Sequence, residues 1–200
     1  MLSSFCANDS RRYERQVSID EIGAEGQKKL QKAKVLICGA GGLGSPAAIY
    51  LAVAGIGSLT LVDHDRVALS NLNRQVLHFE ADIGRYKVDS ARDKLVQLNS
   101  DVLVNPCRDT VTTENAIQIL SGHDVIIDAV DNQETRFIMN KAALELGIAL
   151  IHGAVSEFEG RIMTILPGQS TCLRCLSRGT AQSVGGIPVV GVTPAVIGAL

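Results

Sequence analysis

The amino-acid sequence predicts an α/β protein whose sheet is doubly wound and mostly parallel, with helices on both faces and an antiparallel extension near the C-terminus. Short apolar runs alternate along the chain with longer segments of helical spacing, which is typical of successive strand–helix–strand units. The first apolar run leads directly into a glycine-rich turn and a helix start. The last two runs, 149–152 and 161–167, are separated by a turn over 157–160, which favours an antiparallel hairpin.

The expected elements follow in chain order. A helix over 20–32 precedes the first strand, 35–38, which is apolar throughout, as expected for a strand covered on both faces. The helix after the glycine turn covers 45–54, with Ser45 as its cap and Pro46 in its first position. The remaining elements are strands over 59–62, 102–104, 124–128, 149–152 and 161–167, and helices that begin near residues 87, 113, 134 and 193.

Composition narrows the possible classes of function. A net charge of -2 and an aromatic content of 4% provide neither the basic surface nor the stacking side chains of a nucleic-acid binder. Residues 1–10 lack a signal-peptide pattern, and the most apolar stretch, 187–200, is too short to cross a bilayer. We therefore expect a cytoplasmic protein with no nucleic-acid or membrane partner. The five cysteines, an odd number, argue against a disulfide framework.

A glycine-rich turn after the first strand is the first sign of a binding site. Gly39, Gly41 and Gly44 occupy the G-x-G-x-x-G positions, where missing side chains permit a tight turn and the close approach of a phosphate. The next strand ends in Asp63, about 20 residues beyond the glycines, where a carboxylate can accept both ribose hydroxyls. A strand before this pattern and a helix after it predict a Rossmann-like nucleotide site.

Three charged side chains are expected at the same edge of the sheet. Arg74 lies just beyond the second strand, and Lys87 lies in the first turn of a helix, where a cation opposes the helix dipole unless an anion shares the site. Asp131 follows the strand 124–128. We therefore expect a phosphate near the two cations and Mg²⁺ at Asp131, since Mg²⁺ binds one or two carboxylates together with substrate phosphates. A nicotinamide dehydrogenase on the same fold needs no such carboxylate.

The other polar residues give weaker indications. On the residues alone, Arg12 and Arg15 flank a glutamate and form a solvated charge cluster. The four histidines lack the spacing of a metal site, and we expect each to be structural, with His152 in the core. Cys172 and Cys175 have zinc-knuckle spacing, but they supply only two of the four thiolates that a structural zinc ion needs.

Together these motifs resemble the ThiF/MoeB/HesA superfamily, the bacterial and archaeal relatives of ubiquitin-activating enzymes. The resemblance covers nearly the whole chain and is carried, in order, by Arg12-Tyr13-x-Arg15-Gln16, Gly39-x-Gly41-Gly42-Leu43-Gly44, Asp63-x-Asp65, Ser70-Asn71-Leu72-x-Arg74-Gln75, Gly84-x-x-Lys87, Asp131-Asn132 and Cys172-x-x-Cys175. It implies an adenylyltransferase that uses ATP and Mg²⁺ to activate the C-terminal glycine carboxylate of a ubiquitin-like sulfur carrier of the ThiS or MoaD type. Pyrophosphate is released, and the carrier serves thiamine, molybdopterin or related sulfur transfer.

The resemblance also implies roles for individual residues. Arg15 would reach across a homodimer to the partner's ATP phosphates, which replaces its interpretation as a solvated charge. We therefore predict a homodimer with two composite sites, in which Arg15, Arg74, Lys87 and Asp131 act in catalysis. The implied nucleotide-binding residues are Gly39, Gly41, Gly42, Gly44, Asp63, Asp65, Asn71, Arg74, Lys87, Asp131 and Asn132, with Asn71 and Arg74 at the phosphates and Asp131 on Mg²⁺.

The same resemblance divides one domain, 1–200, into three parts. An N-terminal arm and helix (1–32) precede an ATP-binding core (33–170), and a C-terminal segment (171–200) holds the C-x-x-C motif, a crossover loop and a helix start. In the family, further strands and a second C-x-x-C follow. Cys172 and Cys175 are therefore expected to be half of a zinc site in a chain truncated at its C-terminus, unless the natural chain dispenses with zinc.

The crossover loop departs from some relatives. They carry a cysteine there for thioester or persulfide chemistry, whereas 183–185 contain none. We therefore expect adenylation without covalent catalysis by this chain. The two alternatives are an NAD-dependent oxidoreductase on the same fold and a non-catalytic dimeric scaffold.

Overall fold

The computed structural model of the protein describes residues 11–177 and 194–200. Within these residues, six strands form one sheet in the order β3-β2-β1-β4-β5-β6. Strands β1 to β5 are parallel, and β6 is antiparallel to β5. The strands are β1 Lys34–Cys38, β2 Ser58–Val62, β3 Leu103–Cys107, β4 Val125–Asp128, β5 Ala149–Ser156 and β6 Glu159–Ile165.

Helices connect the strands in alternation. They are α1 Glu14–Val17, α2 Gly23–Lys32, α3 Gly44–Ala54, α4 Lys87–Leu98, α5 Ala116–Leu120, α6 Gln133–Leu146, α7 Leu173–Leu176 and α8 Pro194–Ala199. Two short 3₁₀ turns, Leu69–Asn71 and Glu80–Asp82, lie between β2 and α4. The predicted fold class is confirmed, including the antiparallel C-terminal strand.

The sheet is covered on both faces because successive side chains of each buried strand point to opposite sides. In β1, Val35 and Ile37 pack into a core shared with α3 and α4. Leu36 and Cys38 pack into a second core, which includes side chains of α5 and α6. The continuous apolar run of β1 therefore reflects burial on two sides.

The strand order creates a crevice at the centre of the sheet. The chain moves outward from β1 to β2 and β3, then returns to place β4 on the other side of β1. The connections after β1 and β4 therefore leave in opposite directions, and a doubly wound sheet binds its ligand at this switch point. Backbone bonds from Gly39 N to Val62 O and from Ala129 N to Cys38 O extend the pairing to the crevice.

The β5–β6 hairpin extends beyond the rest of the sheet. β5 pairs with β4 only over 149–152, while 150–156 pair with β6. The hairpin turns at Glu157, whose φ is 54°. The protruding part of the hairpin forms a side wall for the crevice at the carboxyl ends of β1 and β4.

Three helix starts differ from the prediction. The helix α3 begins at Gly44, and its N-cap is Leu43. Ser45 is therefore not the cap, and its hydroxyl lies 3.5 Å from the Ala40 carbonyl inside the turn. The helix expected near residue 113 begins at Ala116, because the Asn115 side chain accepts from the Thr112 N–H and forms a turn first. The helix expected from residue 20 begins at Gly23.

Candidate functional site

A cavity of about 970 Å³ opens at the carboxyl ends of β1, β2, β4 and β5. Gly39, Gly41, Gly42 and Leu43 of the glycine turn form its floor, and the protruding hairpin forms one side. Its volume is that of a site for a nucleotide-sized ligand. Among its lining residues are nine of the predicted site residues: Gly39, Gly41, Gly42, Asp63, Asp65, Arg74, Lys87, Asp131 and Asn132.

Five predicted residues do not line this cavity. Gly44 lies beneath it in the first turn of α3. The side-chain oxygen of Asn71 accepts from the Ala68 N–H and closes a 3₁₀ turn. Arg15 is exposed on α1, Cys172 is the N-cap of α7, and Cys175 lies within that helix. These placements describe one copy of the chain.

The glycine turn contains glycines of two kinds. A Cβ on Gly39, whose φ is 100°, would lie 2.5 Å from the Ala129 carbonyl oxygen, and one on Gly44 would lie 1.8 Å from the Gly39 oxygen. Both residues are required by the packing of the fold. Among the described residues, a Cβ on Gly41 would by contrast meet the Gln75 amide alone, at 3.5 Å. The described part of the protein therefore leaves a hollow beside Gly41 that is open to the cavity.

His78 supports the turn from below, as expected for a structural histidine. Its Nε2 lies 2.8 Å from the Ala40 carbonyl oxygen, and its Nδ1 lies 2.9 Å from the Ser90 hydroxyl. Burial lowers the pKa of His78, so a neutral ring is favoured. A neutral ring that donates from Nε2 and accepts at Nδ1 satisfies both contacts. Lys94 donates to the same Ser90 hydroxyl, at 3.0 Å.

The carboxylate of Asp63 is held by two backbone N–H groups. Its Oδ2 accepts from Ala40 N, and its Oδ1 accepts from Asp65 N, both at 2.8 Å. The end of β2 is thereby fixed to the glycine turn. Asp63 nevertheless lines the cavity and is only half-buried, so a carboxylate oxygen has a second lone pair for a ligand hydroxyl.

Lys87 forms an internal ion pair at the cavity. Its ammonium is buried and lies 2.7 Å from Asp65 Oδ2. Burial alone would raise the pKa of Asp65, but the hydrogen bond from Lys87 lowers it below its usual value. A cation at the start of α4 is therefore compensated by an aspartate of the protein. The position of Lys87 alone does not require a phosphate, which corrects the reasoning from the helix dipole.

Asp131 and Asn132 follow β4 and have different environments. The Asn132 side chain caps α6 by accepting from Thr135 N at 2.9 Å. Asp131 is exposed on the cavity wall, and its carboxylate has no hydrogen bond or ion pair to any residue that the structure describes. A free carboxylate facing the cavity is suited to bind hydrated Mg²⁺.

A buried carboxylate–imidazole pair in the cavity wall was missed by the sequence reasoning. Asp128, the last residue of β4, is fully buried, and its Oδ2 lies 2.6 Å from His152 Nδ1. The two residues are register partners on adjacent parallel strands. Arg136 lies 3.7 Å from the same carboxylate and donates to the Val130 carbonyl. His152 is thus buried as expected, but it lines the cavity rather than the apolar core.

Cys38 and Cys107 are not activated as nucleophiles. Burial raises the pKa of the Cys38 and Cys107 thiols, so both are protonated at neutral pH. The Cys172 and Cys175 sulfurs lie 3.5 Å apart. The backbone N–H of Cys175 lowers the pKa of the Cys172 thiol. The positions 183–185 of the predicted crossover loop fall outside the described residues.

No helix within 11–177 or 194–200 is both long and apolar enough to span a bilayer.

The fold and the cavity together define an α/β protein of the Rossmann type, with an open cavity at the switch point of a doubly wound sheet, where such folds bind their ligands. The chain belongs to the ThiF family, whose profile matches residues 13–200. The resemblance drawn from the motifs is thereby confirmed.

Three curated relatives illustrate the similarity. "Adenylyltransferase and sulfurtransferase MOCS3" of Culex quinquefasciatus is 42% identical over 96% of this chain and 45% of that protein. "SAMP-activating enzyme E1" of Haloferax volcanii is 41% identical over 100% of this chain and 76% of that protein. "Sulfur carrier protein adenylyltransferase" of Thermus thermophilus is 41% identical over 94% of this chain and 73% of that protein. The chain therefore spans less than half of the mosquito relative and about three quarters of the other two.

Solved structures show the same fold. The crystal structure of PaaA superposes with a TM-score of 0.79 at 26% identity, covering 99% of this chain and 64% of that one. The E. coli tRNA N6-threonylcarbamoyladenosine dehydratase TcdA, determined in complex with ATP, gives a TM-score of 0.72 at 26% identity over 78% of this chain and 64% of that one.

Proposed function

We propose that this chain uses Mg-ATP to adenylate the C-terminal glycine carboxylate of a ubiquitin-like sulfur carrier, with release of pyrophosphate. The observation that carries the proposal is the single cavity that joins the open hollow at Gly41 to Asp63, two cations and the free carboxylate of Asp131. The names of the curated relatives support the same reaction.

The polar side of the cavity is suited to a nucleoside triphosphate. Asp63 offers a carboxylate for the ribose, and the open side of Gly41 admits a phosphate. Arg74 and Lys87 line the same cavity. Charge develops on the departing pyrophosphate when the carboxylate oxygen attacks the α-phosphorus, and positioned cations stabilise that charge.

ATP fits these residues better than NAD does. A nicotinamide cofactor would use the glycine turn and Asp63, but it would leave Arg74 and Asp131 without a role. Asp131 would hold Mg²⁺ on the phosphates, where the ion neutralises charge and orients the triphosphate. The charged residues line an open cavity. A non-catalytic scaffold would have no use for such a cavity, so this alternative is disfavoured.

The hairpin side of the cavity is suited to the carrier's tail. Ala154, Val155 and Met163 line it from β5 and β6, where β5 extends past the end of β4. A tail that ends in Gly-Gly is narrow and extended, and it would bring its carboxylate between this wall and the phosphates. Adenylation then needs no nucleophilic cysteine of this chain, which agrees with the raised thiol pKa values of Cys38 and Cys107.

The position of Arg15 supports the proposed homodimer. The Gln16 amide donates to the Ala54 carbonyl, and the Arg12 guanidinium donates to the Leu98 carbonyl. The α1 segment is therefore held at the C-terminal ends of α3 and α4, whereas the cavity lies at their N-terminal ends. The 11 residues of α3 span about 16 Å, so Arg15 would serve a nucleotide only in a second copy of the chain.

Cys172 and Cys175 would supply two thiolates to a structural zinc ion. Their sulfur separation of 3.5 Å is close to the roughly 3.8 Å between neighbouring ligands of a tetrahedral site with Zn–S bonds near 2.3 Å. The lowered pKa of Cys172 favours its thiolate form.

Calorimetric titration with Mg-ATP, and separately with NAD, tests the proposal. We expect saturable Mg-ATP binding that is weakened about tenfold or more in Asp131→Ala, and no heat with NAD. Asp124→Ala is the matched control, because Asp124 lies at the opposite end of β4 and contacts Lys34 N. A carrier ending in Gly-Gly should then support exchange of labelled pyrophosphate into ATP. Binding of NAD that is insensitive to Asp131 would contradict the proposal.

A further inference from the structure

Gln75 has a buried polar side chain that stabilises the described part of the fold through no hydrogen bond. Only 4% of its surface is exposed. Its Oε1 is buried without a hydrogen bond, and its Nε2 makes none to any residue within 11–177 or 194–200. Buried side-chain amides are nearly always hydrogen-bonded in native proteins, so an amide without a partner calls for a specific explanation.

The location of this amide indicates the explanation. Gln75 lines the cavity, and its Nε2 lies 3.5 Å from the point where a Cβ on Gly41 would be. Within 11–177 and 194–200, and apart from the chain neighbours of Gly41, this amide is the group that lies within 4 Å of that point. A ligand that enters this hollow must contact it.

The surroundings of the hollow favour an anion. Arg74 precedes Gln75 in the chain, and its side chain passes within 3.7 Å of where a Cβ on Gly42 would lie. The glycine turn and the N-cap of α3 border the same cavity, and the start of a helix attracts anions. A neutral amide adds a hydrogen-bond donor to such a site without adding charge.

We propose that Gln75 is a further nucleotide-positioning residue, whose Nε2 donates to a phosphate oxygen of the bound triphosphate beside Gly41. This inference rests on the proposed function, because it takes the ligand of the cavity to be Mg-ATP. Nucleotide binding would then give Nε2 a hydrogen-bond acceptor that the described residues do not provide, while Oε1 remains without a partner.

The proposal predicts that replacing the Gln75 side chain affects the stability of the ligand-free protein and the binding of Mg-ATP differently. The substitution Gln75→Met keeps the length of the side chain and removes an unsatisfied polar group from the interior. It should raise the thermal midpoint of the ligand-free protein or leave it unchanged. The same substitution should weaken Mg-ATP binding about 10- to 100-fold, as expected for a lost hydrogen bond to a charged group. The substitution Gln75→Glu should weaken binding further, because its charge faces the phosphates.

Gln27 provides a matched control. It is also a buried glutamine, with 0% exposure, but both ends of its amide are bonded. Its Nε2 donates to the Ala54 carbonyl, and its Oε1 accepts from Gln16, both at 3.0 Å. The substitution Gln27→Met should therefore lower the thermal midpoint and leave the affinity of the folded protein for Mg-ATP unchanged.

The measurements are thermal unfolding without ligand and calorimetry with Mg-ATP on the protein and its three variants. Unchanged affinity in Gln75→Met would overturn the proposal. A lowered midpoint or failure to fold in that variant would assign Gln75 to structure alone and would also overturn it. Tighter binding by Gln75→Glu than by Gln75→Met would reject the role of donor. Absence of Mg-ATP binding by the unsubstituted protein would instead refute the proposed function.

Discussion

At the scale of single residues, two glycines of the turn are needed for different reasons: one by the packing of the fold and the other by the bound ligand. Gly44 has no room for a side chain because the Gly39 carbonyl oxygen lies where its Cβ would be. Gly41 has room, and its open side faces the cavity. The two glycines look equivalent in the G-x-G-x-x-G pattern, yet their substitution should have different consequences.

The prediction is a contrast between Gly41→Ala and Gly44→Ala. Gly44→Ala should lower the free energy of unfolding by at least about 3 kcal/mol, because backbone rather than a flexible side chain must move. Gly41→Ala should change the free energy of unfolding by less than about 1 kcal/mol and weaken Mg-ATP binding about tenfold or more. Urea unfolding and calorimetry measure the two quantities.

A strongly destabilised Gly41→Ala protein would contradict this division of roles. So would a Gly41→Ala variant that binds Mg-ATP as tightly as the unsubstituted protein, because the hollow would then not be occupied by the nucleotide.

At the scale of the elements, one buried carboxylate, that of Asp82, anchors helix α4. Asp82 is 4% exposed. It accepts hydrogen bonds from the Phe79 N–H and from Arg85, and it pairs with the Lys94 ammonium of α4. Burial alone would raise the pKa of Asp82, but the bond from Lys94 and the backbone N–H lower it to about 2.

This shift predicts how stability depends on pH. The folded pKa lies below the ordinary value of 3.8, so the contribution of Asp82 is present above that value and is lost as the pH falls towards 2. The substitution Asp82→Asn should lower the free energy of unfolding by about 1–2 kcal/mol near neutral pH. The difference from the unsubstituted protein should shrink as the pH falls below about 4.

Urea unfolding of both proteins over this pH range is the measurement. Asp93→Asn is the control, because Asp93 is partly exposed and pairs with Arg85 and Arg92 at the surface, where ion pairs contribute little. A difference for Asp82→Asn that stays constant with pH would show that its titration does not contribute to stability.

The elements also show what the sequence could and could not predict. The central strand β1 was predictable because burial on two faces leaves an apolar run that marks its own position. The outer strands β3 and β6 are more exposed, and their bounds differ from the predicted 102–104 and 161–167. Helix starts were less predictable, because the N-cap of α3 is set by the tight approach of Gly44 to Gly39 rather than by the capping preference of Ser45.

Residues of the candidate site were predictable where a sequence motif fixes their position in the chain. They were not predictable where the site depends on which residues of neighbouring strands lie side by side. The glycines, Asp63 and Asp131 follow closely on strand ends in the chain, and Arg74 is identified by its Ser-Asn-Leu-x-Arg-Gln motif. The Asp128–His152 pair depends on two strands that are adjacent in the sheet but separated by a helix in the sequence. The orphaned amide of Gln75 is a property of packing, and no local pattern identifies it.

At the scale of the whole molecule, the location of α1 decides how Arg15 is able to act. Tyr13 is buried, and its hydroxyl accepts from the Asn99 amide at 2.7 Å, which fixes α1 at the edge of the sheet opposite the cavity. In a symmetric dimer each site would then combine Arg15 of one copy with Asp131 of the other. Loss of either residue should lower the rate of adenylation about 10²- to 10³-fold.

Mixing two inactive variants distinguishes this arrangement from a site within one copy. Arg15→Ala and Asp131→Ala, exchanged at equal concentrations, should form mixed dimers in which one of the two sites carries both intact residues. With random exchange, half of the dimers are mixed, so about a quarter of the full activity should return. A pyrophosphate-exchange assay measures it, and light scattering checks the dimer. If Arg15 acted within its own copy, or only through the fold, no mixture would exceed the average of the two variants.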